Sequence, residues 1–543
     1  MKGRNLEIDQ SHKKLVGSAG SVSVGIFISR ITGFLREIAL AALFGTGASA
    51  DIFAGAFRIP NLFRQLLGEG VFNAAFIPKY TQVLHTKGED KAKEFASTVG
   101  IILILIAGII SLAGVILTRQ LVPVLFFGWK VLPDKLELTI KVTRILFPYL
   151  FLVIVYSFFS GFLNAHKIFF LPSVASAFMN IVGLLGILSG LFIFAHWGQT
   201  KLLYLVSFAL LAGGVVQGLI TVFPSFKAGF VFLKNLKADK EDLREFIMLL
   251  LPGMMSFAVA EVNHLVDLFL ASLLPEGSVS ALRYANLLVL LPLSLFGTSV
   301  YIALLPSSSE LAASGSPESI TRLTAFGTNL VFAILLPISA LMIAFRTPLT
   351  KILFQRGAFS GTVSTPMTAM ALSFYAYGLF AYGGVKGIIQ AFFSLRDTKT
   401  PFKISVYCML LNIILNLILM GPLKHGGLAL ATSISSIVNL LVLLVLLKQR
   451  LKSFPLVAMA KKFVVLTILS VFVAYIAFLV FVLLRSVFDC DSPLCEFAFL
   501  GIAFTLAGTI FIFAGNILKI EEISIIGWGF KRLFGKMIKS TRG

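Results

Sequence analysis

Ser29-Arg30-Ile31-Thr32-Gly33-Phe34-Leu35-Arg36-Glu37 sets two arginines inside a segment, 15–44, that is otherwise apolar enough to sit in a bilayer. The next segment repeats the device. It runs from Asp51 through Phe57-Arg58-Ile59-Pro60-Asn61-Leu62-Phe63-Arg64 to Gly68-Glu69-Gly70. A charge at membrane depth costs several kcal/mol, so such residues face a water-filled cavity or a partner and serve a function. Four arginines on the first two apolar segments predict a cavity suited to an anion.

Working outward, the whole chain has the same apolar character. Of its 543 residues 57% are hydrophobic, and the mean hydropathy is +0.94. Runs of this length and composition read as transmembrane helices. About fourteen follow one another between 15 and 518, each long enough at about 1.5 Å per residue to cross the hydrocarbon layer. Ten-residue stretches of alternating polarity are absent from the sequence, which disfavours a β-barrel. The expected fold is therefore an all-α polytopic membrane protein. Met1 to Lys14 is polar and the first apolar run is too long for a signal-peptide core, so that run is expected to stay as the first helix.

The net charge of +21 lies mostly in short loops. With the N-terminus inside, about 29 Lys and Arg fall on the inner face, about ten on the outer face and about seven within spans, as the positive-inside rule requires. Both termini are thus expected in the cytoplasm. Nucleic-acid binding is excluded, because no basic domain forms. The basic segment 519–543, with Trp528, Phe530 and Phe534 among Lys531, Arg532 and Lys536, suits a helix lying on anionic membrane lipids. Cys490 and Cys495 share the last outer loop; spacing leaves open whether they pair.

Two internal repeats are visible. Gly47 through Phe76-Ile77-Pro78 is matched by Gly277 through Leu304-Leu305-Pro306. A helix, a basic link, a proline and an Asn-bearing helix occur with Lys167, Pro172 and Asn180, and again with Arg396, Pro401 and Asn412. Six spans separate equivalent points, an even number, so the repeats are parallel and predict a substrate site where two lobes face each other. The expected organisation is an N-lobe of helices 1–6 (1–226), a linker (227–245) and a C-lobe of helices 7–12 (246–450). Two further helices (451–518) and the basic tail (519–543) complete it.

Enzyme signatures are missing: no phosphate-binding Gly-rich loop, no Gly-x-Ser-x-Gly and no His-Glu-x-x-His. Asp489-Cys490-Asp491 has the spelling of a metal–sugar motif but lacks a surrounding nucleotide-binding domain. On the second lobe, Asn412 and Asn416 share one helical face. With Asp267 and Thr432 they offer carboxylate, amide and hydroxyl oxygens suited to a hard cation, or hydrogen bonds that join helices.

The two arginine-bearing stretches, Arg396-Asp397-Thr398-Lys399-Thr400-Pro401 and Gly421-Pro422-Leu423-Lys424-His425-Gly426-Gly427 together resemble the MurJ (MviN) lipid II flippases. These belong to the multidrug/oligosaccharidyl-lipid/polysaccharide exporter superfamily. The resemblance covers essentially the whole chain. It implies fourteen helices, a central cationic cavity, and movement of the undecaprenyl-diphosphate-linked peptidoglycan precursor, lipid II, from the inner to the outer leaflet by alternating access. It implies no cofactor beyond a candidate sodium ion at Asp267, Asn412, Asn416 and Thr432, and a tail groove on the last two helices. Its partners would be lipid II, membrane lipids and other cell-wall synthesis proteins.

Residue by residue, Arg30, Arg36 and Arg64 fall on the family's cavity arginines, Asp51 and Glu69 on acidic positions, and Ser280 on a small polar position of helix 8. The family's helix 8 arginine is replaced by Leu287. Arg283, one turn earlier, is the expected substitute, and Arg58 completes the substrate-binding set. A cation-coupled drug or polysaccharide exporter of the same superfamily is the nearest alternative, although a cationic drug calls for an acidic, aromatic cavity. A non-transporting wall-synthesis scaffold is the other.

Overall fold

The computed structural model describes residues 24–67, 71–233, 238–297, 299–301, 317–489 and 492–524. Glu69, Cys490 and the basic tail beyond Ser524 lie outside the described residues, as do Leu304-Leu305-Pro306. The described chain is all-α, without a strand. Ten helical stretches among the described residues are long and apolar enough to cross a membrane.

Helix α1 spans 24–44, followed by α2 (Ala48–Leu67), α3 (Val71–Lys87), α4 (Glu89–Leu125), α5 (Pro133–Leu146), α6 (Pro148–Ala165), α7 (Phe170–Phe192), α8 (Gln199–Lys227) and α9 (Lys240–Ser272). Helix α10 (Ser278–Pro292) runs into a π-helical turn at Leu293–Gly297. Then come α11 (Pro317–Ala344), α12 (Arg346–Phe354), α13 (Ser364–Tyr377), α14 (Leu379–Ser394), α15 (Lys399–Leu423), α16 (His425–Arg450), α17 (Leu456–Phe488) and α18 (Pro493–Ile517). Part of the excess of helices over spans arises because α5 and α6 together build one of the ten, Pro133–Ala165. Proline starts α5 and α6, supplying the fixed φ of a first helical turn where its missing N–H goes unneeded, and Gly378 divides α13 from α14.

The repeat is visible in backbone geometry. The link from α6 to α7 turns at Lys167, with φ 63°, and the link from α14 to α15 turns at Arg396, with φ 59°. In each, the next amide reaches back five residues, Ile168 N to Leu163 O and Asp397 N to Phe392 O, both 2.9 Å. This is a helix stop with a left-handed residue. A basic side chain there also suits the negative end of the helix dipole.

Packing divides the chain into two compact units: Met1–Ser280 with Arg356–Phe359, and Ala281–Gln355 with Ser360–Gly543. In the first, Phe72, Phe76, Tyr80, Phe158, Phe162 and Phe230 form an aromatic core, with Phe76 and Phe158 centroids 5.6 Å apart, edge to face. The turn 356–359 joins it through two close backbone approaches. Ala358 N donates to Ala42 O at 2.8 Å. A Cβ on Gly357 would lie 2.3 Å from Ala42 O, and one on Gly45 2.4 Å from Ala358 O. Both glycines have positive φ, so a side chain at either would add strain to the clash.

In the second unit α17 packs on α11, with Phe332 and Phe463 centroids 5.2 Å apart. Phe345 is ringed by Phe478, Phe481 and Phe504 at 5.1–5.7 Å. Two ion pairs involving buried carboxylates fasten the last helices: Lys351–Glu496 at 2.6 Å and Lys462–Glu522 at 2.8 Å.

Helix α9 belongs to the first unit because charges hold it there. Lys79, buried on α3, pairs with Asp242 at 2.9 Å and with Glu245. Lys87 reaches Asp239 and Asp242, both at 2.8 Å. The hydrogen bonds it donates to Asp239 and Asp242 hold the Lys87 ammonium above the usual lysine range. Those from Lys87 hold Asp239 below the usual carboxylate range. Burial pushes Asp242 upward, but the bonds from Lys87 and Lys79 outweigh it and its pKa falls.

Depressed carboxylates stabilise the fold above their unfolded pKa and lose that contribution as pH falls through the folded value. The raised Lys87 contributes below the ordinary lysine pKa and loses its contribution as pH rises through the folded one. The clasp is thus intact from about pH 4 to about pH 10. Lys79→Ala leaves a buried carboxylate short of a partner and is expected to cost about 3–5 kcal/mol. Thermal unfolding in detergent at pH 7 and at pH 3 checks this, since the difference between wild type and variant should shrink in acid.

Candidate functional site

The first unit carries most of the charged residues singled out by sequence. On α1, Gly33 leaves room for the Asn180 side chain of α7: a Cβ there would lie 3.2 Å from Asn180 Nδ2. Asn180 Nδ2 donates to Ser29 O at 3.0 Å, and its Oδ1 accepts from Arg36 Nη1 at 2.9 Å. Arg36 Nη2 donates to Glu37 Oε1 at 2.8 Å. One amide therefore ties two turns of α1 to α7 and fixes the Arg36 guanidinium. Arg30, six residues earlier, is exposed. The two arginines differ in setting, as a rotation of about 600° between them requires.

On α2, Arg58 Nη2 lies 2.8 Å from Glu261 Oε2 on α9. Arg64, beyond Pro60, turns its Nε to Asn61 Oδ1 at 2.7 Å. Glu261 is itself buried, on the face of α9 that meets α2. Neither Arg58 nor Arg36 meets Asp51.

Asp51 has another use. It is buried, and both its oxygens are engaged. Oδ2 accepts from Lys135 Nζ at 2.9 Å and Gly277 N at 2.8 Å, and Oδ1 from Ser280 N and Ser280 Oγ, each at 2.9 Å. The amides of Gly277 and Ser280 belong to the start of α10, where unsatisfied N–H groups and the helix dipole favour a carboxylate. Glu276 does the same for α2, its Oε1 accepting from Ala48 N at 2.8 Å. Each helix start is thus capped by a carboxylate from the neighbourhood of the other. Asp51 and Ser280, assigned by sequence to the substrate, are buried in this capping network. Lys135, which also lies over the Trp129 ring at 4.5 Å, was missed. Its signal is slight: a lysine in the first turn after Pro133.

In the second unit, Arg283 is half-buried on α10, as is Leu287 one turn on. Asn412 and Asn416 are buried on α15, joined by Asn416 Nδ2 to Asn412 Oδ1 at 2.9 Å. Asn412 Nδ2 turns to Thr432 Oγ1 and Ser435 Oγ at 3.4 and 3.3 Å. Asp267, on α9, belongs to the first unit. Among the described residues no group of three or more His, Cys, Asp or Glu side chains gathers as a metal site. What α15 and α16 bring together is neutral oxygen, from amides and a hydroxyl, which fits a monovalent hard cation better than a transition metal.

The helices, their parallel repeat and the cations on α1 and α2 define a multi-pass transporter. A solved multidrug resistance MATE family transporter of the MOP superfamily, in an inward-facing conformation, shares the fold with a TM-score of 0.64 at 13% identity, over 82% of this chain and 99% of that one. The family model for the lipid II flippase MurJ matches residues 40–494, and the chain belongs to that family. A probable lipid II flippase MurJ of Rhizobium tropici is 31% identical over 444 residues, 81% of each chain. A structure titled as lipid II flippase MurJ in an inward closed conformation aligns with a TM-score of 0.75 at 24% identity, over 92% of this chain and 98% of that one.

The Asp51 network generates a prediction about stability. Asp51→Ala strands the buried Lys135 and uncaps α10, at an expected cost of about 3–5 kcal/mol. A double-mutant cycle with Lys135→Met, read by denaturant unfolding in detergent, should recover part of that loss.

Proposed function

We infer that this chain moves lipid II from the inner to the outer leaflet of the bacterial cytoplasmic membrane by alternating access. The observation that carries the reading is the match of residues 40–494 to the lipid II flippase family. The arginines of α1 and α2 supply a chemical reason. A diphosphate entering a bilayer must exchange its water for fixed donors, and guanidinium groups give bidentate, charge-assisted hydrogen bonds in its place. Arg30, Arg36, Arg58, Arg64 and, on α10, Arg283 are the groups assigned to that exchange, Arg36 from the position in which Asn180 and Glu37 hold it. The excess of Lys and Arg in the inner loops supports cytoplasmic termini.

Sodium is the proposed coupling ion, held by the oxygens of Asn412, Asn416 and Thr432 with the carboxylate of Asp267. Bound there, it would supply positive charge that favours one state of the cycle, since a ligand shifts an equilibrium only by its differential affinity. Membrane potential is the second bias, worth about 2.3 kcal/mol per charge per 100 mV fully traversed.

Two outcomes are expected. In cells depleted of the native protein, Arg30→Glu is expected to insert normally yet leave lipid-linked precursor on the inner face, as read by a leaflet-specific labelling assay. Normal externalisation would exclude Arg30 from the substrate path. Collapse of the membrane potential is expected to slow externalisation several-fold, and Asp267→Ala to abolish any response to sodium while precursor binding persists. Transport indifferent to both would leave the substrate gradient as the driver.

A further inference from the structure

Glu261 is a buried carboxylate on α9. Only 4% of its side chain is exposed, against 25% for its partner Arg58 at 2.8 Å. Arg64 stands near enough for its field to reach the same carboxylate, although its Nε is turned to Asn61. Arg58 is the guanidinium that bonds the carboxylate, and Arg64 adds only its field. Structurally, the pair fastens α2 to α9, as Lys79 and Asp242 fasten α3 to the start of α9.

A carboxylate and a phosphate compete for the same feature of arginine. Both accept parallel N–H bonds from one guanidinium edge, and both are stabilised by the same positive field. A phosphate is bulkier and carries more charge, so one reaching the exposed side of Arg58 can draw the guanidinium away from Glu261. The freed carboxylate would then be a buried charge without its cation, which is costly.

We propose that Glu261 is the resident counter-ion of Arg58, displaced when a phosphate anion binds beside α2, so that it weakens the hold on the anion and couples anion binding to the α2–α9 contact. This rests on the reading that the chain carries a lipid-linked diphosphate. Glu261 acts as a positioning residue, through Arg58 and not on the substrate. It opposes tight binding, which favours release on the far side: a site of unopposed arginines would bind the diphosphate more tightly and let it go more slowly.

The test is a binding cycle with inorganic diphosphate as the probe, on the full-length protein in detergent micelles. Glu261→Gln keeps shape and removes charge, and is expected to bind diphosphate about tenfold more tightly than wild type, an ordinary size for a coupling between sites. Glu261→Asp should stay near wild type. In the Arg58→Gln background the gain from Glu261→Gln should vanish. A merely structural pair predicts equal or weaker binding in both backgrounds, and that result would overturn the proposal, as would an absence of diphosphate binding to both wild type and Glu261→Gln. The leaflet assay judges the functional reading separately. Precursor externalisation with a flat binding cycle removes the counter-ion and keeps the flippase; a positive cycle without externalisation does the reverse.

Discussion

Every buried charge among the described residues of the first unit is answered by a named partner, and the arrangement of helices depends on that requirement. The case that organises the most structure is Asp51. A carboxylate buried in low dielectric must find donors for both oxygens or lose its charge. Asp51 finds four, from Lys135, Gly277 and Ser280, on the starts of two other helices. Because amides of a helix start are fixed in direction, satisfying them from outside the helix also fixes the position of the helix. The single side chain thereby sets α2, α5 and the chain at 277–280 relative to one another, and Glu276 returns the constraint to α2.

The same requirement separates arginines that look alike in sequence. Arg36 is held by Asn180 and Glu37, with two of its nitrogens committed to neutral and anionic oxygen. Arg58 is opposed by a full carboxylate across a helix interface. Arg30 is exposed. A guanidinium has five donors in a planar fork, so commitment of one edge leaves another for a ligand. The difference lies in what an arriving phosphate must displace. At Arg36 the fork is oriented and partly neutralised; at Arg58 an anion must be dislodged. A graded set of this kind fits transport better than four unopposed cations, because transport requires that binding be reversible on both sides of the membrane.

Much of the fold was legible because a bilayer leaves few options. Apolar runs of membrane length gave the ten helical stretches among the described residues that are long and apolar enough to cross a membrane, of about fourteen expected. The paired links at Lys167 and Arg396 gave a repeat that recurs in backbone dihedrals. Charge within an apolar segment marked Arg30, Arg36, Arg58 and Arg64 as notable. What could not be read was pairing. Asp51 meets Lys135, 84 residues away in sequence, and Arg58 meets Glu261, 203 residues away. No periodicity within a helix encodes such contacts. They follow from which helix faces lie together, a property of packing. For that reason sequence reasoning assigned Asp51 and Ser280 to the substrate, where the structure shows them capping a helix, and overlooked Lys135, in the first turn of α5, and Glu276, just before α10, positions where charge is unremarkable.

Helix α9 shows how far this pairing reaches. Its first turn is bound through Asp239, Asp242 and Glu245 to Lys79 and Lys87 of α3, and its middle through Glu261 to Arg58 of α2. Sequence repeats would start a second lobe with this helix, yet ionic contacts assign it to the first compact unit. The two descriptions are compatible, because ancestry of a helix and its packing partners are different properties. The consequence is mechanical. An element held at two heights by ion pairs cannot slide without breaking both, whereas it can pivot about one when the other is released. The clasp at the first turn is solvated in part, and its carboxylates are well stabilised at neutral pH. The Glu261–Arg58 pair is the one the proposed anion would disturb. Its release with the clasp intact would leave α9 held by ion pairs at its first turn alone.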